Sequence, residues 1–187
     1  MNNKYQILLD EVRQNYASVV WTHKIQEKQA DIYCEKYAGL ETLNIISAAL
    51  TSCGIVSTIF NDCICTKIIA AILSFVTLSV TAYFKSFDIK GMEKQNKEYA
   101  NKFLVMRNRL LHVISDIHMK NKSVDDINAT YIGIMDELNE LYTEAPSTTK
   151  KAVDRATEAL NVNKEYTYSE EEIDNFLPPM LRGRVED

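Results

Sequence analysis

An all-α membrane protein is the fold class this sequence predicts: a two-helix transmembrane hairpin with long amphipathic cytoplasmic helices on both sides. Three observations carry the expectation. Residues 43–60 and 68–84 contain no Asp, Glu, Lys, Arg or His, although Asp, Glu, Lys and Arg make up 25% of the chain. Outside those runs, apolar residues recur at steps of three and four, the spacing of one helix face. No segment of any length alternates in the manner of a strand.

At 1.5 Å rise per residue the two runs make helices of about 27 Å and 26 Å, slightly short of the ~30 Å hydrocarbon core of a bilayer. Thr42 and Asn61 extend the first uncharged window at either end. Gly54 is the only helix-weakening residue in the first run and the second has neither Gly nor Pro, so both can be continuous helices, the form a lone apolar segment takes in lipid. The alternative, a hairpin buried inside a soluble bundle, asks a chain of 187 residues to cover two neighbouring helices on all sides. Residues 1–36 are polar and charged, so the first apolar run is internal and expected to be retained. Lys24, Lys28 and Lys36 precede the hairpin and Lys85, Lys90, Lys94, Lys97 and Lys102 follow it, whereas the connection 61–67 holds Lys67 alone. This asymmetry predicts cytoplasmic termini and a short outer loop.

The expected organisation is an N-terminal cytoplasmic amphipathic helix (1–42), the hairpin (43–84, with spans 43–60 and 68–84), a cytoplasmic helical region (85–161) and a C-terminal tail (162–187). In the first part Tyr5, Leu8, Leu9, Val12, Tyr16, Val19 and Val20 make an apolar stripe that continues through Ile25, Ile32 and Tyr33. After the hairpin, Tyr99, Phe103, Met106 and Leu110 step like a coiled-coil seam and are the candidate oligomer contact. Ser123 and Asp126 have capping spacing ahead of the stripe Ile127, Tyr131, Ile134, Leu138 and Leu141, which Pro146 ends. A weaker helix spans about 148–160, and Ser169 with Glu172 opens a short one in the tail.

Within the first span Asn44, Ser47, Thr51, Gly54 and Thr58 share a face; in the second, Ala70, Ser74, Thr77 and Thr81 do. Small and hydroxylated faces let membrane helices approach closely. They also line a wet path when several copies associate, since two helices cannot enclose one alone. Both readings stand at this point, so a homo-oligomer is expected and these residues are candidates for pore lining or span packing. A net charge of -5 without a basic cluster argues against nucleic acid. Cys63 and Cys65 lack the further ligands a metal needs, and His23, His112 and His118 fit no ligand spacing and are expected to be solvated. No phosphate loop, nucleophile elbow or His-Glu-x-x-His run is present, so neither an enzyme nor a cofactor is expected.

Ahead of the first span lies Trp21-Thr22-His23-Lys24-Ile25-Gln26-Glu27-Lys28. By itself this is a helix surface with charges paired four apart near the headgroups. Followed by two closely spaced spans and a Lys- and Asn-rich helix, it resembles the SLATT family of bacterial two-transmembrane effectors, with Trp21, Lys24, Glu27 and Lys28 as the motif residues. The resemblance covers roughly residues 5–160. It implies a multi-pass protein of the bacterial inner membrane that oligomerises and permeabilises it in antiphage defence, a form of abortive infection. It also implies a separately encoded sensor or nucleotide second-messenger synthase as partner. A membrane-tethered helical scaffold that recruits a cytoplasmic partner without conducting is the other reading.

Overall fold

The computed structural model describes residues 2–60, 63–178 and 182, with side chains from Lys4 to Val56 and from Cys63 onward. Helix α1 (Asn2–Phe60) is followed by α2 (Ile64–Ser86), α3 (Ile89–Met119), α4 (Val124–Glu144) and α5 (Lys150–Thr157). A π-turn, Glu158–Val162, extends α5, and α6 (Glu170–Phe176) closes the described chain. No strand occurs among the described residues.

The expected N-terminal helix and first span are one helix of 59 residues, about 88 Å long at 1.5 Å per residue. Gly39 is the weakest helix former in residues 34–46, a cost of about 1 kcal/mol that the flanking turns absorb. The second helix begins at Ile64, earlier than the charge pattern marks, because Lys67 sits exposed in its first turns and does not interrupt it. Between α2 and α3 the chain turns at Phe87 and Asp88; the Asp88 carboxylate caps α3 by accepting from Gly91 N–H at 2.8 Å. A Cβ at Gly91 would lie 2.1 Å from Asp88 Oδ2, so a larger residue there would make the capping carboxylate shift. The anticipated caps at Ser123 and Ser169 are formed, the latter as a full capping box with Glu172.

Away from the apolar hairpin, α1, α3 and α4 pack as a three-helix bundle. Its core joins Leu8, Leu9, Val12 and Val19 of α1 to Tyr99, Phe103, Leu110, Val113 and Ile117 of α3. From α4 come Ile127, Tyr131, Ile134, Leu138 and Leu141. Polar ties set the register: Tyr131 donates to Glu11 Oε1 at 3.1 Å and accepts from Asn15 at 2.6 Å. Tyr5 donates to the Lys122 carbonyl at 3.0 Å. Arg109 makes a two-pronged contact with Glu137. The stripe expected as an oligomer seam is corrected by this packing. Phe103 and Leu110 are fully buried inside one chain, Tyr99 is buried and Met106 packs against the same cluster. A short connection returns α4 onto α3, so an intramolecular partner is present at far higher effective concentration than a second copy.

The two spans pack against each other at one end of the molecule. Ile45, Ile46, Leu50, Ile55, Ile68, Ile72, Phe75 and Leu78 are all more than half exposed. Only 6% of each apolar window is buried, which removes the soluble buried-hairpin alternative: these side chains have no protein around them to cover them. Where the hairpin meets the bundle, cations sit over aromatic rings, Lys36 over Tyr83 at 5.0 Å and Lys90 over Tyr37 at 4.5 Å. That is the composition of a membrane–water boundary.

Leu110→Ala is expected to destabilise the bundle by about 2–5 kcal/mol, the range for deleting a buried Leu side chain, read by urea denaturation of the helical circular dichroism signal. Phe103→Asp should unfold the bundle rather than merely separate copies.

Candidate functional site

Along α1 the buried positions Val12, Val19, His23, Gln26 and Ala30 step by seven, four, three and four. The core face therefore keeps its register as it leaves the apolar cluster, but its residues become polar. His23, Lys24, Gln26 and Gln29 are all buried, with Asn96 of α3, whereas Ile25, Ile32 and Tyr33, expected to continue the stripe, are half-buried at the side. Gln29 Oε1 accepts from the Thr149 N–H and hydroxyl, each at 2.8 Å, and Gln26 donates to the Pro146 carbonyl at 3.0 Å. These bonds dock the α4–α5 connection on α1. Arg155 adds a bidentate pair with Glu35, both distances 2.7 Å.

The centre of this layer is Lys24, only 2% exposed. Its Nζ donates to Glu165 Oε2 at 2.7 Å and Glu27 Oε2 at 3.0 Å and lies 4.2 Å from the centre of the Tyr166 ring. Tyr166 donates to Glu27 Oε2 at 2.9 Å, contacts His23 Nδ1 at 3.2 Å and stacks on the His23 ring, 9° from parallel. Lys28 reaches Glu165 Oε1 at 3.5 Å. Local backbone geometry delivers Glu165 and Tyr166. The π-turn widens the end of α5, Asn163 N–H reaching Glu158 O at 3.0 Å, and Lys164 then adopts a left-handed φ of 52° that swings the chain back over α1.

Burial opposes charge on Lys24, but the Glu165, Tyr166 and Glu27 contacts outweigh it and the ammonium titrates above its ordinary range. Burial likewise acts against the Glu27 carboxylate, yet Lys24 and Tyr166 bring it below its ordinary range; Glu165 is lowered by its bond from Lys24. His23 is pushed down to about 4, first by burial and then by Arg107, Lys24 and Lys97, with only Glu27 pulling the other way. It is therefore a neutral ring in the folded protein, not the solvated histidine the sequence suggested.

In the hairpin, Ser47 is buried, Asn44 and Thr51 half-buried, and a Cβ at Gly54 would stand 3.3 Å from Ala70 Cβ. This face of α1 is turned to α2. The second-span candidates divide: Thr77 is half-buried, while Ser74 and Thr81 are exposed. The Thr58 side chain lies outside the described residues. Asn44 Oδ1 is buried with no partner among the described residues, and it stands in the first turn of the apolar run, beside the bundle and not at mid-bilayer depth.

A profile of the family described as SMODS and SLOG-associating 2TM effector domain family 4 matches residues 8–172, most of the chain. The chain belongs to the SLATT family. No curated protein and no solved structure matches it. Membership makes this a membrane-associated two-transmembrane effector domain, consistent with its two apolar helices. Of the SLATT motif residues proposed from sequence, Lys24 pairs with Glu27, and Lys24 and Lys28 share Glu165, so the three lie in one network. Trp21 is half-buried nearby in sequence but makes no polar contact within it. The paired-surface reading of this motif is thus corrected: Lys24 is core. Glu165, Tyr166 and Arg107 escaped the sequence reading, since partners 141 residues apart leave no local periodicity. Gln26 and Ala30, passed over in favour of Ile25, Ile32 and Tyr33, could have been found by keeping the three- and four-residue steps from Val19. Among the described residues no group of three or more His, Cys, Asp or Glu is placed to hold a metal.

The His23 ring gives the SLATT bundle a defined pH response. Folded His23 stays neutral to about pH 4 while the unfolded residue protonates near 6.5. Its contribution is therefore complete above pH 6.5 and is lost as pH falls from there toward 4, up to about 3 kcal/mol. Thermal melts between pH 7.5 and 5 should show this loss, and His23→Gln should flatten it over that interval. Lys24→Ala, which strands two carboxylates, should cost about 3–5 kcal/mol at neutral pH, read in the same melts.

Proposed function

We propose that this chain assembles in the bacterial inner membrane, with both termini cytoplasmic, and permeabilises it when activated in antiphage defence, stopping growth of the infected cell. Family membership as a two-transmembrane effector carries this reading. The apolar girdle around the hairpin and the flanking lysines support the location and the orientation. Activation comes from a separately encoded sensor or nucleotide second-messenger synthase, and no nucleic acid takes part. Asn44, Ser47 and Thr51 act in packing the two spans, whereas the outward hydroxyl residues Ser74 and Thr81 are the groups available to a wet path between copies. Assembly then runs through the hairpin, because the Tyr99 to Leu110 stripe is already occupied.

That occupied stripe also favours a second reading, a membrane-tethered scaffold whose bundle recruits a partner without conducting. Dye leakage from cells co-expressing the chain with its neighbouring operon genes, before and after phage challenge, separates the two. Leakage on challenge, reduced by Ser74→Leu with Thr81→Leu while membrane insertion and bundle melting are unchanged, is the expected result. Growth arrest without leakage, from correctly inserted protein, would turn the assignment to the scaffold. Ser47→Leu should instead force α1 and α2 apart and lower the recovery of inserted protein.

A further inference from the structure

We propose that the groove between α1, α3 and the returning segment 160–168 is a binding site for a small soluble organic phosphate that carries a planar ring. The groove encloses about 720 Å³ and is walled by Tyr16 of α1, by Lys97, Asn101 and Arg107 of α3, and by Tyr166 and Tyr168 of the return. That volume lies within the ~300–1,000 Å³ range of small-molecule sites.

Its charges are arranged for an anion. Arg107 lies 4.9 Å from the centre of the Tyr166 ring, and neither Arg107 nor Lys97 forms an ion pair among the described residues. The one carboxylate in the wall, Glu27, already accepts from Lys24 and Tyr166. Two cations therefore face the groove without a counter-charge. A guanidinium offers a planar fork of donors that matches phosphate oxygens two at a time. The exposed Tyr168 and half-buried Tyr16 add aromatic surface on which a ring can lie.

The position selects a dissolved ligand over a lipid headgroup. Counting 1.5 Å per residue from Ile89, where the chain has left the second span, Lys97 is about 12 Å and Arg107 about 27 Å along α3. A phosphate at the bilayer surface does not reach that far. Tyr166 is shared between this groove and the Lys24 network, so an occupant touches the group that holds the return segment on α1. Nothing in the groove depends on what the spans do to a bilayer.

Equilibrium dialysis of the full chain in phosphatidylcholine nanodiscs against radiolabelled adenosine 5′-monophosphate tests the site. Saturable binding of one molecule per chain is expected, with adenosine and inorganic phosphate each at least tenfold weaker. Arg107→Gln and Lys97→Gln should each weaken binding at least tenfold. Lys102→Gln, removing an ammonium whose partner is Glu98 at 3.2 Å, should leave it unchanged. Melting curves check that the variants fold, and exposed Lys97 keeps the test intact if Arg107→Gln does not. The proposal is overturned by absence of saturable binding, by binding indifferent to both substitutions, or by phosphatidylglycerol vesicles competing as well as the free phosphate.

Discussion

One helix has to satisfy three solvents along about 88 Å, and the rest of the molecule is arranged around that requirement. The first third of α1 meets apolar side chains of α3 and α4, the middle third meets buried polar groups, and the last third meets α2 and the exposed apolar girdle. Each of α2, α3, α4 and α5 packs on α1. Because an α-helix carries its hydrogen bonds internally, it crosses these environments without breaking. The polar middle and the first span are therefore parts of one uninterrupted helix.

The polar middle is a layer whose energetics favour keeping it whole. Removing Lys24 from water is expensive, and the attraction of two carboxylates and a ring face offsets that cost only while all of them are in place. Two of these partners arrive from the far end of the sequence. The return segment is thus held chiefly by charge and hydrogen bonding, whereas the α3–α4 pair is held by apolar burial. Interactions of these two kinds respond differently to pH and salt.

The hairpin solves a related problem with small residues. Gly54 and Ala70 meet closely, Ser47 is buried two turns earlier in α1, and the larger apolar side chains are turned outward. Several hydroxyls within the spans satisfy themselves on the preceding turn, as Thr51 does on the Ser47 carbonyl at 2.8 Å and Thr81 on the Thr77 carbonyl at 2.8 Å. Such bonds allow polar residues to remain on apolar helices without a neighbouring partner.

Helical class, the two spans, the caps at Ser123 and Ser169 and the stripes of α3 and α4 were all legible in the sequence, because each depends on neighbours within a few residues. The sequence also located the motif around Lys24, through its resemblance to a family. What it left open was the partner of every stripe. Periodicity says that Phe103 and Leu110 will be covered but not whether by another copy or by the same chain, and the fold covers them with both α1 and α4. Nor does any local pattern connect Lys24 to Glu165 and Tyr166. A π-turn and one left-handed residue at Lys164 decide that meeting, and only the folded chain brings those groups within reach of one buried ammonium.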